Sequence, residues 1–223
     1  MSVPFTPPGL LPGDKFHIAF VTAGTRNAQS PNIADYNLFV SNQATASGAI
    51  TETWGVKWYA IASTQAIDAR DNAFVSAPVF LLRSPGPFSI SKLANGFADM
   101  WDGPDIADGF TIDQFGNGVV GPGQSRFVYT GSNDDGTQYF DRFGVTNALG
   151  SGASTGIRVG NVINPWMSAN NSIATFERPF YALSEELTVA AVPEPSSLLL
   201  APLGLGLYAL VRRRRMAKEV SVS

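Results

Sequence analysis

The chain has 223 residues, 44% apolar and 11% aromatic, with 15% charged and a formal net charge of −3. That is enough apolar mass for one packed domain plus a tail, which argues against disorder, while the charged fraction lies well below the roughly 25% of an average soluble protein. There is no cysteine, so disulfides, thiolate nucleophiles and zinc–thiolate or iron–sulfur sites are excluded, and no basic cluster outside the C-terminus gives nucleic acid an electrostatic footprint.

Residues 1–14 read as an irregular segment. An exported chain needs an N-terminal signal, yet MSVPFTPPGLLP carries neither a basic n-region nor an apolar h-region. The expectation is a true signal lying upstream of Met1; the alternative is a decayed or non-exported copy. The domain itself is placed at residues 15–189. KFHIAFVT, residues 15–22, is aromatic and β-branched and predicts a strand. Ser30 is the expected N-cap, with Pro31 at the first helical position. Ile33, Ala34, Asn37, Leu38, Ser41 and Ala44 would line one helix face, and Gly48 would stop it. TWGVKWYAIAS, residues 53–63, alternates and predicts a second strand. A turn of helix is expected at 66–72 and a short strand at 78–82, followed by a loop at 84–87. An acidic loop spans 102–108 and a brief extended piece 110–113. RFVYT, residues 126–130, predicts a strand, then a turn-rich loop at 131–136 and a Gly/Ser loop at 150–156. PFYALSEELTV, residues 179–189, closes the domain as a strand. Few helices, short strands and long loops predict an α+β fold, with one or two helices.

The chemistry-bearing residues are sparse. Gly152-Ala-Ser154-Thr-Gly156 matches the Gly-x-Ser-x-Gly nucleophile elbow, which needs a preceding strand, a following helix and a downstream histidine. The single histidine, His17, lies upstream in a strand, so a flexible loop is the expected role of that segment, and a satisfied strand residue that of His17. Asp99, Asp102, Asp105, Asp108 and Asp113 form the densest acidic stretch. Within it Asp102, Asp105 and Asp108 are the candidate oxygen ligands for calcium, although the spacing fits no EF-hand and Asp-Gly pairs also mark turns. Otherwise no metal or cofactor is expected. Asn133-Asp134-Asp135-Gly136 is a turn signature first. Trp54, Trp58, Trp101 and Trp166 could stack on sugars, but tryptophan is usually core or core-edge. Paired carboxylates facing one cleft would mark a glycoside hydrolase.

From residue 190 the character changes. Pro193 and Pro195 forbid a regular helix and leave an extended, protease-accessible stem over 190–197. The uncharged stretch from Ser196 to Val211 would span about 24 Å as a helix, and residues 198–211 are read as the transmembrane segment. Arg212, Arg213, Arg214 and Arg215 would stop transfer and keep the basic tail, 212–223, in the cytoplasm. Pro202, Gly204 and Gly206 would make a poor buried core helix.

The order Val192-Pro193-Glu194-Pro195, apolar span, arginine cluster resembles the PEP-CTERM sorting signal of Gram-negative bacteria. The resemblance implies recognition by an exosortase, a membrane protease-transpeptidase that would cut near Pro193-Glu194-Pro195. The protein would pass through the inner membrane and end in the envelope or extracellular matrix, with exopolysaccharide as an associated partner. The domain also has a likeness, carried by motif order: WYAIAST, DARD at 68–71, APVFLL, FADMWDG at 97–103, IDQFGN at 112–117, VYTGSNDDGT at 128–137, ALGSG and YALSEEL at 181–187. That order resembles the C-type-lectin-like fold in its endostatin-like branch. The Glu-Pro-Asn and Trp-Asn-Asp triplets of calcium-dependent sugar binding are absent from it. The expected function is a non-enzymatic, lectin-like binding or structural domain displayed at the envelope. The alternative is an exported hydrolase acting on polysaccharide.

Overall fold

The first predicted strand carries apolar side chains on both of its faces. Phe16, Ile18 and Phe20 enter one buried cluster, while Ala19 and Val21 enter another. Successive side chains of a strand point to opposite faces, so such a run belongs at the centre of a sheet covered on both sides. The computed structural model of the chain places it there. The described residues are 2–3, 5–84, 89–103, 109–119, 127–140, 145–152, 157–162 and 165–190.

In chain order the elements are β1 Ser2–Val3, β2 Lys15–Val21, α1 Ile33–Ala44, β3 Trp58–Ala60, α2 Ala69–Asn72, β4 Val79–Ser84, β5 Ser89–Ala94, α3 Phe97–Met100, β6 Phe127–Tyr129, β7 Ile157–Asn161, β8 Asn170–Ser172, β9 Tyr181–Ser184 and β10 Leu187–Val189. The class is α+β. In the main sheet β2 pairs in parallel with β4, and antiparallel with β9 and β10 along its other edge. β3 extends the sheet beyond β9, and β5 extends it beyond β4. A second, antiparallel sheet runs β6-β7-β8. The chain divides into two units, Met1–Ala190 and Ala191–Ser223. The second unit lies outside the described residues.

Several expectations are corrected. Residues 1–14 are not wholly irregular, because β1 pairs with β10. The N-cap of α1 is Asn32, whose side chain accepts from the Ala34 amide; Ser30 instead accepts from the Asn32 amide and donates to Asp35. The buried face of α1 is Tyr36, Val40 and Ala44, a strict i, i+4, i+8 row, and Leu38 points to solvent. Tyr36 joins that row because its hydroxyl finds a partner, donating to the Ser30 carbonyl at 2.8 Å. Burial pushes this phenol up to about 12. The helices number three among the described residues, two of them single turns. Of residues 53–63 only Trp58–Ala60 pair as a strand. The residues before them are held in turns, with Trp54 donating its amide to the Thr51 carbonyl. The strand expected at 179–189 is two strands, broken at Glu185–Glu186.

That break is a β-bulge. Lys15 and Phe16 pair with Thr188 and Leu187, whereas Ala19, Phe20 and Val21 pair with Leu183, Ala182 and Tyr181. Three residues, 184–186, therefore oppose two, 17 and 18. A bulge of this kind bends its strand and redirects side chains. Side-chain bonds replace the missing ladder: the Ile18 amide donates to Ser184 Oγ at 3.0 Å, and His17 Nδ1 donates to the Ser184 carbonyl at 2.9 Å.

Candidate functional site

The bulge builds a cleft. It is lined by His17, Tyr59, Asp71, Asn72, Phe74, Ser76, Glu185 and Glu186 and encloses about 350 Å³. His17 forms its floor and is 2% exposed. Its Nδ1 faces a carbonyl, which can only accept, so Nδ1 carries the proton. Nε2 then accepts from the Ser76 amide at 3.2 Å. Burial lowers the His17 pKa below 6.5, against the opposing pull of the Ser184 carbonyl and the Glu186 carboxylate. His17 is thus a satisfied strand residue.

Ser76 was invisible as a functional residue in the sequence, yet its Oγ lies 3.1 Å from His17 Nε2. A serine beside a histidine raises the question of nucleophilic catalysis. The proton inventory answers it. Ser76 Oγ donates to Glu186 Oε2 at 2.7 Å, and the Nε2 lone pair already receives the Ser76 amide. The histidine is therefore not poised to take the hydroxyl proton. Glu186 also meets Lys15 at 3.1 Å, and the bonds from Ser76 and Lys15 hold its carboxyl below the usual range. The cluster clamps the segment before β4 to the β9–β10 bulge.

This clamp sets a pH dependence. His17 has a lower pKa folded than unfolded, so the unfolded chain binds more protons below pH 6.5. Stability should fall as pH drops below 6.5, until the folded ring also protonates. Glu186 and Asp135, both lowered in the fold, add losses at more acid pH as they are protonated. Thermal melts between about pH 7.5 and 5 should show a falling midpoint, and His17→Gln should flatten the upper part of that slope. A flat profile in the parent chain would contradict the buried neutral ring.

A second cleft, about 340 Å³, is lined by Thr22, Ala23, Thr25, Asp113, Asn117, Gly118, Val119, Glu177 and Pro179. It brings two carboxylates, Asp113 and Glu177, to one concavity. Asp113 is 4% exposed, and its Oδ1 accepts the amides of Phe115 and Asn117 at 2.8 and 2.9 Å. It organises the 113–117 turn. Glu177 is exposed and accepts from Thr25 at 3.2 Å.

The other sequence candidates are dispersed. Asp99 accepts from the Asn95 backbone and side-chain amides, both at 2.7 Å. Asp102 is exposed, while Asp105 and Asp108 lie outside the described residues. No group of three or more His, Asp or Glu that could hold a metal ion occurs among the described residues. Asn133–Gly136 forms the expected turn, with the Gly136 amide donating to the Asn133 carbonyl at 3.1 Å. Of the Gly-x-Ser-x-Gly segment, residues 153–156 are outside the described set. Trp54, Trp58, Trp101 and Trp166 are all buried. Val192, Pro193, Glu194, Pro195 and Arg212 to Arg215 lie outside the described residues, as does the segment 198–211. Among the described residues, no helix is long and apolar enough to cross a membrane. No protein-family model matches the chain, and no curated protein matches it.

Proposed function

We propose that the protein is exported, sorted by an exosortase through its C-terminal tail, and displayed at a Gram-negative cell envelope or in its matrix, where a lectin-like domain serves a non-enzymatic binding role. The observation that carries this reading is the order of three unlike elements in residues 192–215: a Pro-Glu-Pro stem, an uncharged apolar span and four consecutive arginines. Each has a physical job, in turn a cuttable extended segment, a lipid-soluble plug and a stop fixed on the cytoplasmic side. An open cleft with two aromatic rings and several carboxylates at the bulge supports a binding role for the domain.

The hydrolase alternative draws on Asp113 and Glu177 lining one cleft. Asp113 spends an oxygen on two amides of its own turn, which favours a structural carboxylate over a general acid. The test of the sorting reading is a secreted reporter fused to residues 190–223 alone. In a Gram-negative host lacking exosortase it should sediment with the membranes, and in a host with the enzyme it should be processed at the stem. A reporter that stays in the aqueous fraction of the first host overturns the reading.

A further inference from the structure

The His17 cleft has an unusual hydrogen-bonding inventory. Apart from the Tyr59 hydroxyl, its side-chain donors are spent inside the protein. Asn72 Nδ2 donates to Asn37 Oδ1 at 2.9 Å and to the Ala60 carbonyl at 2.7 Å. His17 Nδ1 is held by Ser184, and the Ser76 hydroxyl by Glu186. The carboxylates that line the cleft are those of Asp71, Glu185 and Glu186. Glu185 Oε1 takes the Lys57 amide, and Glu186 is paired with Lys15. Asp71 is exposed and makes no side-chain hydrogen bond or ion pair among the described residues. Beside these acceptors stand Tyr59 and Phe74. Phe74 is 61% exposed and packs on Phe97, itself 41% exposed, with ring centroids 5.9 Å apart. Two large apolar rings kept in water next to excess negative charge are costly unless something covers them.

We infer that this cleft binds an organic ammonium group carried on a carbon skeleton, with the Asp71 and Glu185 carboxylates receiving the N–H donors and the Phe74 and Tyr59 rings covering the adjacent C–H face. A lining rich in acceptors and poor in free donors favours a group that only donates. A neutral sugar hydroxyl needs a donor and an acceptor in turn and is served less well. The cation is also drawn to the aromatic faces, which a neutral ligand is not. A volume of about 350 Å³ sits at the small end of the usual ligand range of roughly 300–1,000 Å³. The inference rests on the domain being a binding module but not on the address carried by the tail.

The test is calorimetric titration of the full-length chain in detergent with three probes: a glucosamine tetramer, its N-acetylated form and Nα-acetyl-lysine methylamide. Amine probes should bind about tenfold or more tighter than the acetylated tetramer, and the preference should shrink with added salt. Phe74→Ala and Asp71→Asn, both at exposed positions and so expected to fold, should each weaken binding of the amines by about threefold to tenfold. Preference for the glucosamine tetramer assigns the ammonium to an amino sugar, and preference for the lysine amide assigns it to a protein side chain. Equal affinity for acetylated and free tetramers, no binding of any probe, or insensitivity to both substitutions overturns the inference. Shortening of the tetramer during titration would overturn the binding-module reading itself.

Discussion

Gly160→Ala is expected to cost about 4 kcal/mol or more, enough to lower the thermal midpoint by roughly 10 °C or to prevent folding. Gly160 sits in β7, paired with Val128 of β6. A Cβ added there would lie 1.6 Å from the Trp166 carbonyl oxygen and 2.5 Å from its carbon. That atom is backbone and cannot swing aside. Moving it would pull on the Tyr181 hydroxyl, which donates to the Trp166 carbonyl at 3.1 Å, and on Thr130, which donates to the Met167 carbonyl at 2.6 Å. Both donors are buried. Displacement would therefore leave buried groups without partners as well as opening the core. Gly118→Ala is the matched control, since nothing lies within 4 Å of its added Cβ. It should change stability by less than about 0.5 kcal/mol. Denaturant melts of the two variants check the pair. Equal, small losses would mean that the 165–167 segment does not lie over β7.

The sequence revealed elements whose own residues carry the reason for their structure. β2 is legible because KFHIAFVT is aromatic and β-branched, while its central place shows in the burial of both its faces. The 133–136 turn is legible from Asn-Asp-Asp-Gly, and α1 from the helical spacing between Ile33 and Ala44. What escaped depends on partners distant in sequence. Asn170–Ser172 has little strand propensity and becomes β8 only because β7 offers an edge. Ile157–Asn161 is interrupted by Gly160, whose missing side chain is a packing requirement set six residues later. The buried face of α1 runs through Tyr36 rather than Leu38, because a tyrosine is buried once Ser30 accepts its hydroxyl.

The His17 cleft shows the same limit at a functional scale. His17 could be recognised as a strand residue. Its neighbours Ser184, Glu185 and Glu186 could not be named, because they arrive through a one-residue slip between β2 and the 181–189 segment. Without the bulge, Glu185 and Glu186 would continue the alternation of a single strand. With it, Ser184 turns inward to His17 and Ile18 while Glu186 reaches Ser76. Nothing in YALSEEL marks the slip, although two adjacent glutamates amid apolar residues fit a break better than a continuous buried strand.

Trp166→Ala should cost about 3–5 kcal/mol, the range for deleting a large aromatic side chain from a core. Trp166 is fully buried. Its ring lies 5.9 Å from that of Trp101 and 5.8 Å from those of Phe110 and Tyr181. Phe110 and Tyr181 are themselves only 4.2 Å apart, so the four rings form one cluster on the face of β2 and β9 opposite α1. The Tyr181 hydroxyl binds the Trp166 backbone rather than its indole, so that bond can survive the substitution and the loss reports packing. Trp166→Phe should recover part of it, leaving a deficit of about 1–2 kcal/mol. Denaturant midpoints with unchanged slope, together with a reduced near-ultraviolet circular dichroism signal, are the readout. Tryptophans that stack on sugars sit at the surface and can be removed with little effect on folding. A Trp166→Ala chain that melts like the parent would move this residue from the core to a binding face, and with it the whole 165–170 segment.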